Sequence, residues 1–570
     1  MNYLFKKFIY LINKLSSDER YNFLYSFLVL ILYSFRKIFK KAQYRRRFPI
    51  HYLKHKNIIG EPIFSFNDYS IYTQYYLHGN IDTPSKVNAM LSVKTELLYC
   101  EIAKLKEFKK FDTDVLVPIG IVNPNKKSLI KVKCPDRVNF NCNGKEYQLS
   151  QLRDNAFHYL RFNKGERVSF SSKKKILFGK PFKLSKKDKE LVLVLFIDAL
   201  GSNIVNSSNI ENLMPNTYNF FKKGYINLNC YSNSEYTITS LSSMSTGKHV
   251  YRNNFFQPNK YKKIGEENKL ISEYFHENGY RTQLISNNSG QDPNYGYCIG
   301  YDRTVYGIEM KQEEIVTEFI DSLRVFESGK SFNWLSFIDV HHKYQGIPRF
   351  SSGANMCAKQ HAKNRATIQK SVAMDKSKYY TSWYENEIKR FDFHMKPLYD
   401  FIEENFNNNE ILVSLVSDHA QSFLDGGTHV LRKEKTNVPF MIRGRGVEKQ
   451  YDNSIMENVD ILPTILDKCN IDFNSDEIDG IMPAFLGGQG KKYVFSESIF
   501  PGKTYKAVIR EGDKECFITS KSYLKFNKNI DTEFRRNVDF KIPNKQTKFE
   551  KDRDIHRYKN VYNELFFKQE

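Results

Sequence analysis

Asp418 and His419 follow the apolar run ILVSLV (411–416), with only Ser417 between. An adjacent carboxylate and imidazole offer an oxygen and a nitrogen donor, a mixture that suits zinc or manganese better than magnesium or calcium. Three other places could complete such a shell. Asp198 ends the run LVLVLFI and precedes Ala-Leu-Gly, where it suits a metal ligand or a helix N-cap. FIDVHHKYQGIP (337–348) offers Asp339, His341 and His342, and DGGTHV offers His429. A solvated role fits one of the two adjacent histidines, and a single loop histidine is ordinarily uninformative. Finally, SEYTITSLSSMSTGKHV (234–250) is dense in hydroxyls. The three-residue spacing of Ile238, Leu241 and Met244 predicts a helix starting near Thr237. A threonine there meets exposed N–H groups and the positive dipole end, which favour phosphate or sulfate. The plainer alternative is an N-cap on a serine-rich helix packed closely against a sheet.

The elements that must position these residues are strands buried on both faces. Leu191–Ile197, Thr282–Ile285, Trp334–Phe337, Ile411–Val416 and Pro439–Ile442 read as such strands. Helical stretches alternate with them, notably Lys269–Asn278, Glu313–Phe326 and Lys378–Asn405, so residues 186–515 are expected to form an α/β domain around a largely parallel sheet. Asp198, Asp339 and Asp418 then fall at or just after strand carboxyl ends, where open α/β sheets collect ligands.

The remaining chain divides by composition. Of the net charge of +23, a large part lies in residues 1–59, where about thirteen Lys and Arg oppose only Asp18 and Glu19. Within this arm FLYSFLVLILYSF is too short for the roughly twenty residues that span a bilayer, and no small-residue cleavage site follows it. The arm reads as an interfacial helix with a polybasic flank that docks on anionic lipid; a buried helix with a solvated basic linker is the alternative. No nucleic-acid module accompanies the charge. Residues 60–185 carry short runs such as LVPIGIV, SLIKVKC, VNFNC, EYQLS, HYLRF and RVSFS between turn-forming clusters, the spacing of a small β-rich domain. KPFKLSKKDKE reads as a linker, and 516–570 as a charged C-terminal extension. The scattered cysteines form no C-x-x-C pair, which argues against a disulfide framework and leans towards a reducing compartment. The location expected is cytoplasmic, peripheral at the membrane.

The order of motifs resembles the alkaline phosphatase superfamily, most closely its sulfatase-like branch, from about Leu191 to Arg510. FIDALG resembles the opening metal strand, and TITSLSSMSTG has the spacing of the nucleophile helix. LISEYFHENGYRT, SDHA, TNVPFMIRGRG and NVDILPTILDKCNI follow in the family's order. Residue by residue, the resemblance implies that Asp198, Thr237, Asp418 and His419 surround one divalent metal, with Thr237 as nucleophile. Two-metal members add an Asp and two His, for which Asp339, His342 and His429 are the candidates; His341 can exchange with His342. Zinc or manganese is favoured, with calcium or magnesium as alternatives.

Two departures bear on the reaction. Sulfatases convert a Cys or Ser in C-x-P-S-R to formylglycine, whereas this chain has Thr-Ile-Thr-Ser-Leu, and Ala199 replaces the second aspartate of the sulfatase pair. The expected function is therefore hydrolysis or transfer of a phosphate ester, as in the threonine-nucleophile phosphodiesterases and the phosphoethanolamine and glycerolphosphate transferases. His341, His342 or His429, where not bound to a second metal, would protonate the leaving group. The substrate expected is an ester linked to lipid or glycan in cell-envelope polymer metabolism. The alternatives are a sulfuric ester hydrolase and a non-catalytic binding protein that keeps the fold.

Overall fold

The computed structural model describes residues 64–66, 69–73, 94–121, 138–149, 157–185, 189–256, 264–308, 310–326, 329–341, 378–421, 429–452, 454–499, 503–524, 533–543 and 548–567. The basic arm, the SLIKVKC run and His342 lie outside them.

Seven strands make the central sheet: β1 (Glu190–Ile197), β2 (Tyr225–Tyr231), β3 (Arg281–Ser286), β4 (Arg303–Tyr306), β5 (Lys330–Phe337), β6 (Ile411–Val416) and β7 (Asn437–Gly444). Their spatial order is β4-β3-β5-β1-β6-β7-β2. The first five run parallel, and β7 is antiparallel to both β6 and β2. Every residue of β1 and β6 is buried, as expected for strands covered on both faces. Alternation along β1 sends Val192, Val194 and Phe196 to one core and Leu191, Leu193, Leu195 and Ile197 to the other.

Helices cover both faces. The helices α1 (Thr237–Thr246), α2 (Ile271–Glu277) and α5 (Ile461–Lys468) pack on the first core. The helices α3 (Gln312–Val325) and α4 (Lys378–Asn405) pack on the second. Each expected strand and helix in this region is present. Two strands that the sequence did not announce, β2 and β4, widen the sheet; Asn, Cys and Arg interrupt their apolar runs.

Residues 95–183 form antiparallel strands. VNFNC and HYLRF are strands as expected, but the long strand Thr95–Phe108 was not foreseen. That strand pairs antiparallel with β4, so this β-rich segment continues the central sheet. The linker reading of KPFKLSKKDKE is corrected. Phe182 pairs with Leu116, and Phe182 and Leu184 are buried, because two apolar side chains in a lysine-rich run suffice to anchor it. The expected boundary at 515/516 also falls inside a strand. A separate antiparallel sheet is built from β8 (Val494–Ser498), β9 (Thr504–Glu511), β10 (Lys514–Tyr523) and β11 (Val538–Lys541). Helix α6 (Lys548–Phe567) packs Tyr558 and Tyr562 on its outer face, beside Tyr505, Ile509 and Ile518.

Candidate active site

Because β5, β1 and β6 are parallel neighbours with Ile197 opposite Phe337 and Phe196 opposite Val416, the residues that follow them emerge on one edge. The backbone N–H of Asp198 still donates to Phe337 O at 2.9 Å. The chain then turns sharply: Ala199 has φ +66°, a left-handed conformation that costs about 1 kcal/mol for a residue with a Cβ. In that turn the Ala199 N–H donates to Asp418 Oδ1 at 2.9 Å and the Leu200 N–H to Ser417 Oγ at 3.0 Å. Tyr384 of α4 closes it, accepting from the Gly201 N–H at 3.0 Å and donating to Ala199 O. Asp198 caps no helix, which removes the cap reading.

Thr237 is the first residue of α1, with Tyr236 at the N-cap position, so the N-cap alternative does not hold either. Its hydroxyl donates to Asp198 Oδ2 at 3.3 Å and lies 3.4 Å from His419 Nε2. The side chain is half-buried, within reach of a substrate. At the other end of α1, Gly247 adopts φ +66° as the helix stops.

His419 Nε2 stands 3.4 Å from Asp418 Oδ2 and 3.8 Å from Asp198 Oδ1. His341 Nε2 lies 3.9 Å from Asp198 Oδ1, its ring edge-on to that of His419. Asp198, His341 and His419 each bring one ligand atom within 4.8 Å of the others. Asp198 Oδ1 and Asp418 Oδ2 are buried without a hydrogen-bond partner among the described residues. Burying a carboxylate oxygen unpaired is costly unless a cation or proton meets it. Accordingly, burial raises Asp198 to about 7, and burial together with Asp198 raises Asp418 to about 8. Burial and the nearby Lys435 ammonium hold His419 well below the ordinary imidazole range, so it stays neutral with a lone pair to give. The donor set therefore fits a divalent cation.

Of the expected second-metal residues, Asp339 is buried and accepts from Asn287 Nδ2 at 2.8 Å. The His429 ring packs at a tilt against Phe517 of β10, ring centroids 4.4 Å apart. Among the described residues neither joins the group around Asp198.

Three residues of this site had no signal in the sequence. Asn288 donates from Nδ2 to Asp198 Oδ2 at 2.7 Å. A Cβ on Gly290 would lie 2.6 Å from Thr237 Cγ2, so glycine leaves the room that the threonine occupies. Lys435 Nζ approaches His419 Nδ1 at 3.4 Å, and the charges of Asp418, Glu235 and Asp198 oppose the fall in its pKa that burial causes. Asn288 caps and Gly290 lies in the 3-10 turn Ser289–Gln291, and Lys435 lies in the one-turn helix Lys433–Thr436, segments too short for a periodicity to mark them.

The sulfatase family model matches residues 190–471. No curated protein matches the chain. Among solved structures, a 2-O GAG sulfatase aligns with TM-score 0.50 at 14% identity, over 66% of this chain and 92% of its own. The phosphonate monoester hydrolase of Agrobacterium radiobacter aligns with TM-score 0.45 at 15% identity, over 57% and 87%. That of Silicibacter pomeroyi aligns with TM-score 0.47 at 14% identity, over 63% and 90%.

Proposed function

Because residues 190–471 form a sulfatase-family domain, we propose that the protein is a metal-dependent enzyme that hydrolyses or transfers a phosphate ester through Thr237. The observation that carries this reading is the Thr237 hydroxyl, 3.3 Å from Asp198 Oδ2 and 3.4 Å from His419 Nε2 at the start of a ten-residue helix. Asp198, Thr237, Asp418 and His419 would hold the cation, with His341 beside them. When bound, such a cation lowers the pKa of a hydroxyl and neutralises phosphate oxygens.

The chain's own groups account for the rest. The Thr237 hydroxyl already donates to Asp198, which gives its proton a destination as the oxygen attacks phosphorus in line. The Oγ1–P bond forms, the P–O bond to the leaving group breaks, and the departing alkoxide takes a proton from His341. Water or an acceptor hydroxyl then attacks the phosphothreonine and gives its proton to His341; the new O–P bond forms, the Oγ1–P bond breaks, and Thr237 recovers its proton from Asp198. The Lys435 ammonium and the N-terminal N–H groups of α1 stabilise the charge that builds on the phosphate oxygens.

Threonine favours phosphate over sulfate as the group attacked. It is a secondary alcohol, and its oxidation gives a ketone rather than the aldehyde of formylglycine. The test compares metal-loaded protein on phosphodiester, phosphomonoester and sulfate ester substrates, with Thr237→Ala and Asp418→Ala alongside. Phosphate esters are expected to turn over, and each variant to lose about 10³-fold or more in kcat. Full activity in Thr237→Ala, or faster turnover of the sulfate ester, would contradict the reading.

A further inference from the structure

Two consecutive asparagines follow β3, and each reaches a different part of the site. Asn288 donates from Nδ2 to Asp198 Oδ2, as above. Its Oδ1 accepts from the Gly290 N–H at 2.7 Å, and its own N–H donates to Ser286 Oγ at 3.1 Å. Asn287 is fully buried and turns to the neighbouring strand. Its Oδ1 accepts from the Ile338 N–H at 2.8 Å, and its Nδ2 donates to Asp339 Oδ2 and to Met310 O, each at 2.8 Å.

These partners fix which way the Asn287 amide faces. A backbone N–H meets one end, and a carboxylate and a carbonyl meet the other. Exchanging oxygen and nitrogen would set donor against donor and acceptor against acceptor. The Asn287 N–H adds a link to Ser336 O at 3.4 Å. Ile338 and Asp339 open the turn that carries His341, which the His341 N–H closes by donating to Ile338 O at 3.0 Å. His341 Nε2 stands 3.9 Å from Asp198 Oδ1 with its side chain 27% exposed, open to a substrate. Asn287 therefore holds the base of the His341 turn, while Asn288 holds the carboxylate that His341 faces. Because the two asparagines are adjacent, one strand end sets the spacing between His341 and Asp198.

We infer that Asn287 is a positioning residue: by clamping the Ile338–His341 turn to the end of β3, it sets where His341 stands against the leaving group. It touches no reacting atom and acts through His341, whose role as proton donor in the proposed reaction this assignment takes as its basis. A structural asparagine would have a different signature. A leaving group that is stable as an anion departs without a proton, whereas an alkoxide needs one. Misplacing the donor by an ångström costs about 10²-fold, and only where the proton is needed. A general loss of order slows every substrate alike.

The test measures kcat of metal-loaded protein on ethyl phosphodiesters whose leaving group runs from para-nitrophenol through phenol to ethanol. Asn287→Leu is expected to lose about 10²-fold on the ethanol ester and only a few-fold on the para-nitrophenyl ester. His341→Ala shows the same selective loss. Asn333→Leu removes another buried amide, one that bonds Ser331 Oγ within β5, and keeps the ratio between the esters. Asn287→Asp keeps the acceptor for Ile338 but sets oxygen against Asp339 and Met310 O; it gives the selective loss if the leucine variant fails to fold, which melting curves show. Amide hydrogens of the peptide containing Ile338–His341 exchange faster in either Asn287 variant, a readout that needs no turnover. Equal losses along the series in the Asn287 variants, or exchange as slow as in the parent, would overturn the inference. A selective loss that is absent from His341→Ala, with the faster exchange present, would instead count against the proposed proton donor.

Discussion

Asp198, Asp418 and His419 were legible because each is a chemically distinctive residue at the end of an apolar run, and Thr237 because a helix period begins at it. Asn288, Gly290 and Lys435 were not, since an amide, a glycine and a lysine at helical segments of three or four residues carry no spacing of their own. Of the paired histidines, His341 lies beside Asp198, and His342 falls outside the described residues. The ionisation of these residues makes a prediction. Between pH 3.8 and about 7 to 8, metal-free folded protein keeps Asp198 and Asp418 protonated where the unfolded chain does not. Their contribution to stability therefore falls as pH rises through that range. Below 6.5 the neutral, buried His419 and His429 pull the other way, because the unfolded imidazoles charge. The carboxylate effect thus stands clear of theirs only from 6.5 to about 8. A divalent cation takes the deprotonated carboxylates, so the rise in Tm that it confers should grow across this interval. Thermal melts with metal and with chelator check this; an increment independent of pH would contradict it.

At the scale of elements, the site is built where three parallel strands end together. That much followed from alternating strand and helix patterns, and Ile411–Val416 and Lys378–Asn405 match the expected bounds. The tertiary link that tightens the Asp198 turn did not follow, because Tyr384 lies in a region whose helical period says only which side is apolar. Its hydroxyl joins α4 to the turn by two hydrogen bonds, with Gly201 and Ala199. Tyr384→Phe leaves the buried Gly201 N–H without its acceptor, which costs about 1–3 kcal/mol. Denaturant unfolding should show that loss together with weaker metal binding, since Ala199 also holds Asp418. Unchanged stability and metal affinity would show that the turn keeps its shape without α4.

Across the whole molecule, the central sheet is extended by antiparallel strands from 95–183 and faced by a C-terminal sheet whose Ser498 donates to Glu235. The charged tail gave no sign of this role. Tyr558 and Tyr562 are spaced for a helix face, but their partners in β9 and β10 are distant in sequence. Among the described residues no helix is long and apolar enough to cross a membrane. The excess charge in residues 1–59 motivates the proposal that the protein docks on anionic lipid. The whole chain should co-sediment with vesicles containing phosphatidylglycerol, and less so as salt is raised. Deletion of residues 1–47 should abolish that binding; equal binding to neutral vesicles, or binding that survives the deletion, would contradict it.

The central claim is that Thr237 becomes phosphorylated during turnover, and acid quenching tests it most directly. Metal-loaded protein is mixed with an activated phosphodiester, quenched within the first turnover, digested, and its peptides weighed. The account predicts a phosphoryl adduct on the peptide that contains Thr237, formed before product accumulates and absent in Thr237→Ala. Turnover that leaves Thr237 unmodified while another residue carries the adduct, or that persists in Thr237→Ala, would contradict it.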